Sequence, residues 1–488
     1  AHNSPAGAGP AAENINPAHL SDVIGSVHEA SPAQVDSAIS SARSYSSDWD
    51  RVAPARRAEI LDQAAGLMEE NMPELLALCI REAGKTVRDG LAEVREAVDF
   101  TRYYAVQARE KFAQPTKLPG PTGESNELTL RGRGVFACIS PWNFPLAIFT
   151  GQVTAALAAG NTVLAKPAEQ TPAVAALACK LLHRAGIPRQ ALQLVPGDGA
   201  TVGAQLTRDV RIDGVAFTGS TETARLINRS LAARNAPLAA LIAETGGQNA
   251  MLVDSSALPE QVVQDVIASA FLSAGQRCSA LRVLYLQTDL AEHVFQLLSG
   301  AMQELRVGDP RKLSTDVGPV IDQDALAILQ AHSARMEKEG RLIARTRVPE
   351  NLAGHFFAPC AFEIDGIRSL DREVFGPILH VVRYRARDLD TVIEDINAVG
   401  YGLTLGIHSR IERSQAYIAN RIRAGNCYIN RNMVGAVVGV QPFGGERLSG
   451  TGPKAGGPHY LPRFATERTL TINTAAVGGN ASLLALDE

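Results

Sequence analysis

Cys278 stands in Phe271-Leu-Ser-Ala-Gly-Gln-Arg-Cys278-Ser279-Ala280, beside a glycine turn and among polar residues that a merely packed thiol does not need. Glu244 stands upstream of it in Ala243-Glu244-Thr-Gly-Gly-Gln-Asn249. A thiolate adds well to a carbonyl carbon and a carboxylate can later draw a proton from water, so the two together suit a covalent route through a thioester. Asn143 adds a third part. In Ser140-Pro141-Trp142-Asn143-Phe144-Pro145 two prolines fix the backbone around it, so its amide can be held as a donor to a developing oxyanion; a tight turn that only reverses the chain would have the same composition. The other five cysteines lack such settings. Cys79 and Cys179 lie in apolar helical runs and Cys138 in an apolar strand, which reads as packing, and Cys360 and Cys427 have no acid or base motif beside them.

A second group of residues suits a nucleotide. Phosphates bind backbone N–H groups at helix starts, with glycine where the chain must pass close to the ligand. Phe217-Thr-Gly219-Ser220 follows an apolar strand and precedes a helical run, and Gly197-Asp-Gly199-Ala-Thr-Val-Gly203 is one residue off the usual dinucleotide spacing. An ordinary strand-to-helix turn would also account for the first. Lys166 and Glu169, in Leu164-Ala-Lys166-Pro-Ala-Glu169, end another strand, where both could hydrogen-bond ribose hydroxyls. A carboxylate there repels a 2′-phosphate, which favours NAD over NADP.

These residues need a scaffold. Leu91, Val94, Val98 and Ala105 recur at helical spacing through 90–112, and the first third of the chain reads as helices that cover a sheet. From residue 134 to 254 short β-rich runs (Val135 to Ile139, Thr162 to Lys166, Leu192 to Val195, Val215 to Phe217, Ala239 to Ala243) alternate with alanine-rich helical ones. That alternation implies a parallel, Rossmann-like sheet. A second α/β block runs to Gly444, with strands over Leu281 to Leu286, Ile378 to Val382 and Gly406 to His408. The expected division is 13–127 with 138–246 for the nucleotide, 247–445 for the nucleophile, 128–137 with 465–480 for a projecting β-flap, and 446–464 for a substrate-anchor loop. Residues 1–12 read as a flexible lead-in.

Composition narrows the class. At 488 residues the chain exceeds one ordinary core, and a net charge of −4 without a basic stripe disfavours nucleic acid. The six cysteines show neither metal-type nor disulfide-framework spacing, which points to a reducing, cytoplasmic compartment. No apolar stretch has the length and character of a membrane span and no signal peptide is evident.

Taken together, Pro141-Trp-Asn-Phe-Pro145, Lys166-Pro-Ala-Glu169, Phe217-Thr-Gly-Ser220, Glu244-Thr-Gly-Gly247, Gly275-Gln-Arg-Cys278, Glu373-Val-Phe-Gly-Pro377 and Pro442-Phe-Gly-Gly445 resemble, in order, the motifs of the NAD(P)-dependent aldehyde dehydrogenase superfamily. The resemblance implies an α/β fold with a Rossmann-like NAD-binding domain, an α/β catalytic domain and a small β-flap. It makes Cys278 the nucleophile, Glu244 the general base, and Asn143 with the Cys278 N–H the oxyanion hole. Lys166, Glu169, Gly219, Ser220, Ile139, Pro141 and Trp142 would hold NAD, with Glu373 and Phe375 at the nicotinamide end.

The segment from Asn426 through Gly435-Ala-Val-Val-Gly-Val-Gln-Pro-Phe-Gly-Gly445 to Pro458 is similar to the L-glutamate γ-semialdehyde (pyrroline-5-carboxylate) dehydrogenase branch, including the modules found in bifunctional proline utilization A proteins. The substrate implied is an amino-acid semialdehyde. Gly456 and Gly457 would anchor its head, Ser279 would help bind its carboxylate, Phe144 and Phe464 would flank its chain, and Arg277 would either attract its charge or serve a structural salt bridge. Arg447 departs from the small residue usual in that branch. A link to a proline dehydrogenase domain absent from this sequence, and a homodimer through the flap, are also implied. Dehydrogenation of another ω-semialdehyde, or a non-catalytic scaffold, are the competing readings.

Overall fold

Every residue of Val135–Ile139 and Thr162–Lys166 is buried, as central parallel strands require. In the computed structural model, which describes residues 11–477, these strands belong to a five-stranded parallel sheet. Its order is Leu192–Leu194, Thr162–Lys166, Val135–Ile139, Gly214–Thr218, Ala240–Glu244. Successive strands step outward on both sides of Val135–Ile139, so a crevice opens beyond the carboxyl ends at that switch point. Asn143, Gly219, Ser220, Lys166 and Glu244 all end or follow these strands. Four motifs spread over about a hundred residues thereby reach one edge.

The alternation of side chains along Val135–Ile139 separates two cores. Val135, Ala137 and Ile139 pack with Val35, Ile39 and Ala42 of the helix Pro32–Arg51, while Phe136 and Cys138 join Phe149, Leu157 and Tyr104 on the opposite face. The helix Val87–Phe112 lies on that second face, begun by Thr86, whose side chain accepts from the Asp89 N–H at 3.2 Å. Leu91 departs from the expected stripe: it is 40 % exposed, whereas Val94, Val98, Tyr104 and Ala105 are buried. Glu93 of the same helix accepts the Leu146 N–H at 2.9 Å and caps the start of Ala147–Ala158, which lacks a capping side chain of its own.

Residues 245–249 alone connect the first sheet to Ala250–Val253, in the middle of the second. That sheet runs Arg341–Arg345, Cys360–Glu363, Ile378–Tyr384, Val283–Gln287, Ala250–Val253, Thr404–His408, Asn426–Ile429, and all its pairs are parallel except the first. A separate core of Val, Leu, Ile and Phe side chains fills it.

The flap pairs antiparallel as Ala465–Asn473 against Glu124–Gly132, with a short third strand, Thr116–Leu118, so its bounds differ from the expected 128–137: residues 135–137 belong to the central strand of the first sheet, and 116–118 and 124–127 belong to the flap. Residues 478–480 of the expected flap and 1–10 of the expected lead-in lie outside the described residues. Ala11 and Ala12 are in a strand, Ala11–Ile15, paired with Val23–His28, so the first third is not wholly helical. No described helix is long and apolar enough to cross a membrane.

Candidate active site

Three consecutive residues before the nucleophile candidate, Ser273, Ala274 and Gly275, have φ of 53°, 53° and 65°. Left-handed backbone costs on the order of 1 kcal/mol for each non-glycine residue and persists only where its surroundings hold it. Here Arg277 Nε donates to Ser273 Oγ at 3.0 Å, and the Ile321 N–H donates to Gln276 Oε1 at 2.9 Å. Asn249 Nδ2 donates to the Cys278 carbonyl at 2.6 Å. The turn delivers the half-buried Cys278 to a position where it lines two cavities at once.

The first is an apolar cavity of about 100 Å³ walled by Phe100, Tyr104, Phe144, Ile148, Phe443 and the loop Gly435 to Val438, with Glu96, Glu244, Arg277 and Ser279 among its polar groups. Glu244 Oε2 accepts from the Gly445 N–H at 3.1 Å, while Oε1 has no hydrogen-bond partner. A Cβ at Gly444 would come within 2.7 Å of Oε1, so glycine is needed there for the carboxylate to lie flat against the backbone. Burial pushes the Glu244 carboxyl well above the usual range and the Cys278 thiol up to about 12, with Glu373 and Glu244 adding to the latter. At rest the site is therefore a protonated thiol beside a carboxyl that resists charge. Burial, then the neighbouring Glu93, lifts Glu96 to about 7.

The second cavity is a crevice of about 410 Å³ at the strand ends, lined by Pro141, Trp142, Asn143, Gly219, Ser220, Glu373 and Phe375. Trp142 and Phe375 meet edge to face with centroids 5.6 Å apart. Ser220 begins the helix Thr221–Ala232 and accepts from the Thr223 N–H at 3.1 Å. A Cβ at Gly219 would stand 2.6 Å from the Phe217 ring. A glycine turn feeding a capped helix start suits a pyrophosphate, and two aromatic walls suit a planar ring, so the crevice fits a dinucleotide. Lys166, Glu169 and Ile139 are outside its lining. Lys166 Nζ donates to the Pro167 carbonyl at 2.9 Å and pairs with Glu169 at 3.4 Å, and its stem faces Gly203 of the glycine segment at the neighbouring strand end.

Asn143 is buried and its Nδ2 donates to the Gln276 carbonyl at 3.1 Å, which ties the oxyanion candidate to the nucleophile turn. Ser279 and Phe144 line the cavity as the sequence suggests. Arg277 lines it too, and also forms a buried salt bridge with Asp89 at 2.8 Å.

Three substrate assignments require correction. Phe464 is fully buried against Phe136 and Tyr460 and does not reach the cavity. The phenylalanine that lines the cavity along with Phe100 and Phe144 is Phe443. Gly456 and Gly457 are likewise off the wall: the Gly456 N–H is taken by the Tyr104 hydroxyl at 3.0 Å, and its carbonyl accepts from the Gly439 N–H at 2.9 Å. They brace the loop that does face the cavity, Gly435 to Val438, in which Gly435 has φ of 74°. Arg447 is directed elsewhere, donating to the Asn397 carbonyl at 2.7 Å. Sequence reasoning also missed Glu96 and Tyr104. The available signal was the i, i+4, i+8 spacing of Glu96, Phe100 and Tyr104, which places them on one face of Val87–Phe112.

Residues 5–470 match the family described as Aldehyde dehydrogenase family. The chain is 54 % identical over 475 residues to "Bifunctional protein PutA" of Escherichia coli (strain K12), covering 95 % of the chain and 35 % of that protein. It therefore spans about a third of the length of such bifunctional relatives. It is 38 % identical over 465 residues to the 1-pyrroline-5-carboxylate dehydrogenase of Geobacillus thermodenitrificans (strain NG80-2), covering 94 % of the chain and 89 % of that protein. The crystal structure of a Thermus 1-pyrroline-5-carboxylate dehydrogenase with bound NAD superposes with a TM-score of 0.90 at 34 % identity, covering 95 % of this chain and 90 % of that one.

Proposed function

The chain belongs to the aldehyde dehydrogenase family, and from that membership we propose that it oxidises L-glutamate γ-semialdehyde, the open form of pyrroline-5-carboxylate, to L-glutamate with NAD as acceptor. One observation carries the reading: Cys278 is on the wall of both cavities, so an aldehyde entering from the apolar side meets the sulfur at the mouth of the crevice. Phe144 and Phe443 flank an aliphatic chain. The Gly435 turn and Arg277 receive an α-carboxylate, and Glu96 receives an α-ammonium. The Cys278 proton passes to solvent water as the sulfur bonds to the carbonyl carbon, and the oxyanion left as the C=O π bond opens is met by the Asn143 amide and the Cys278 N–H. Gly219, Ser220, Trp142, Glu373 and Phe375 would hold NAD, with Lys166 and Glu169 available to its adenosine ribose, and the bound cofactor would supply the hydride acceptor needed to take the adduct to a thioester. Glu244 then takes a proton from water through its unpartnered oxygen, hydroxide adds to the acyl carbon, and the C–S bond breaks to release the acid.

The assay is NADH formation with L-glutamate γ-semialdehyde beside succinate semialdehyde and propanal. A kcat/KM at least tenfold higher for the first is expected; equal values would leave a general aldehyde dehydrogenase, and silence with intact NAD binding a non-catalytic module.

Glu96 provides a finer test. Its carboxyl is raised to about 7, so its charge, and with it attraction for an ammonium, is present above that pH and lost as pH falls through it. Glu96→Gln should raise KM for the amino-acid semialdehyde about tenfold at pH 8, and the ratio of variant to wild-type KM should shrink toward one by pH 6. A ratio independent of pH refutes this role.

A covalent or functional link to a proline dehydrogenase domain is part of the same proposal, supported by the identity to bifunctional relatives. A homodimer through the flap is proposed from its exposed strand Ala465–Asn473 and is checked by light scattering.

A further inference from the structure

Arg282 is 1 % exposed and carries a charge that burial disfavours unless every donor is matched. A guanidinium has five N–H donors, and here all five are used. Nη1 donates to the carbonyls of Gly275 at 2.7 Å and Gly376 at 3.2 Å. Nη2 donates to the Arg277 carbonyl at 3.0 Å and to Glu373 Oε1 at 3.0 Å, and Nε donates to the same oxygen at 3.3 Å. The Phe375 ring lies 5.2 Å from its centre.

Those partners divide into two sets. Gly275 and Arg277 belong to the left-handed turn that presents Cys278, whereas Glu373, Phe375 and Gly376 belong to the loop on the crevice side. The two segments also touch: a Cβ on Gly275 would collide with the Gly376 carbonyl. Two carbonyls aimed at one point repel each other and need a cation between them, and one that is planar and forked also fixes their angle. The bonds of Ser273, Gln276 and Cys278 described above hold the turn locally, whereas Arg282 spans from it to the crevice loop.

We propose that Arg282 is a positioning residue that clamps the nucleophile turn to the crevice loop, so that Cys278 and Glu373 keep a fixed relation and occupancy of the crevice is felt at the turn. The proposal rests on the functional reading above, with Cys278 as nucleophile and NAD in the crevice. Lysine at 282 keeps the charge but offers three donors without the fork.

The test compares wild type with Arg282→Lys and Glu373→Gln in three measurements: KM for NAD, cofactor-free hydrolysis of p-nitrophenyl acetate, and melting temperature. Ester hydrolysis calls on Cys278 and Glu244 but not on the cofactor. For Arg282→Lys the expected result is a roughly tenfold rise in KM for NAD together with a roughly tenfold fall in ester hydrolysis, at a melting temperature within a few degrees of wild type. Glu373→Gln, whose amide oxygen still accepts from Arg282, should raise KM for NAD, and its fall in ester hydrolysis should be smaller than that of Arg282→Lys. Wild-type ester hydrolysis in Arg282→Lys, or losses that only follow the folded fraction, would overturn the clamp.

Hydrogen exchange on the wild-type protein gives an arm that needs no variant. Residues 273–277 are outside the crevice lining, so protection of their amides by NAD, in step with 373–377, is expected, and its absence counts against coupling. Failure of the functional reading is separately visible as a wild-type protein that cleaves the ester yet reduces no NAD with any aldehyde.

Discussion

Cys278→Ala leaves a protein that binds NAD and oxidises no aldehyde: kcat should fall on the order of 10⁵-fold or below detection. The expectation rests on more than residue type. Four of the other cysteines are buried away from both cavities, and Cys427 lines neither, so no second thiol can substitute. The alanine side chain fills the space of the Cβ and leaves Asn249 bonded to the carbonyl of residue 278, so the turn should keep its shape. Intrinsic fluorescence quenching by NAD, unchanged in the variant, separates loss of chemistry from loss of the crevice. Turnover above a hundredth of wild type would eliminate the thioester route.

Glu244→Gln should separate the two half-reactions. The glutamine keeps an oxygen to accept from the Gly445 N–H but cannot take a proton from water, so thioester hydrolysis should slow about 10²–10⁴-fold. Hydride transfer needs only the sulfur and the oxyanion donors. Rapid mixing should therefore give a burst of about one NADH per site followed by a near stop, and intact mass should show the acylated protein. There is a pH consequence. Glu244 is raised well above the usual carboxylate range by burial, so its basic form is present above that raised value and lost as pH falls through it. Deacylation in the wild type should rise with pH, and the residual rate in Glu244→Gln should lose that limb. A variant with no burst would show instead that Glu244 is needed for acylation, by taking the Cys278 proton.

The candidate site was legible because its residues sit where sequence signals are strongest. Cys278, Glu244 and Asn143 are short motifs at glycines and prolines, and the ends of parallel strands bring them together whatever the exact loop lengths. The second sheet was harder. Ala250–Val253 and Asn426–Ile429 have four residues each, too few to show a period, and their neighbours supply the burial. The hairpin of Ala11–Ile15 and Val23–His28 is mostly exposed and lacks apolar alternation altogether.

The substrate wall failed for another reason. Gly456-Gly457 and Gly435 are equally plausible by composition, since a glycine announces that backbone comes close to something but not to what. Only the fold shows Gly456 turned toward Tyr104 and Gly435 toward the cavity. Glu96 was hidden by its distance of well over a hundred residues from Glu244, Arg277 and Ser279, and helical spacing gives a face without naming its neighbour.

That wall has a consequence for a chain made from its amino end. Glu244, Cys278 and Glu373 all precede residues 435–443, and the wall those later residues form is braced in part by Gly456, whose N–H reaches the Tyr104 hydroxyl of a helix synthesised far earlier. During synthesis the proposed nucleophile and base thus precede the enclosure proposed to choose among aldehydes. On that reading selectivity arrives last, as a docking event between distant parts of the polypeptide, and a protease cutting between Val437 and Gln441 should broaden the range of aldehydes oxidised before it abolishes oxidation.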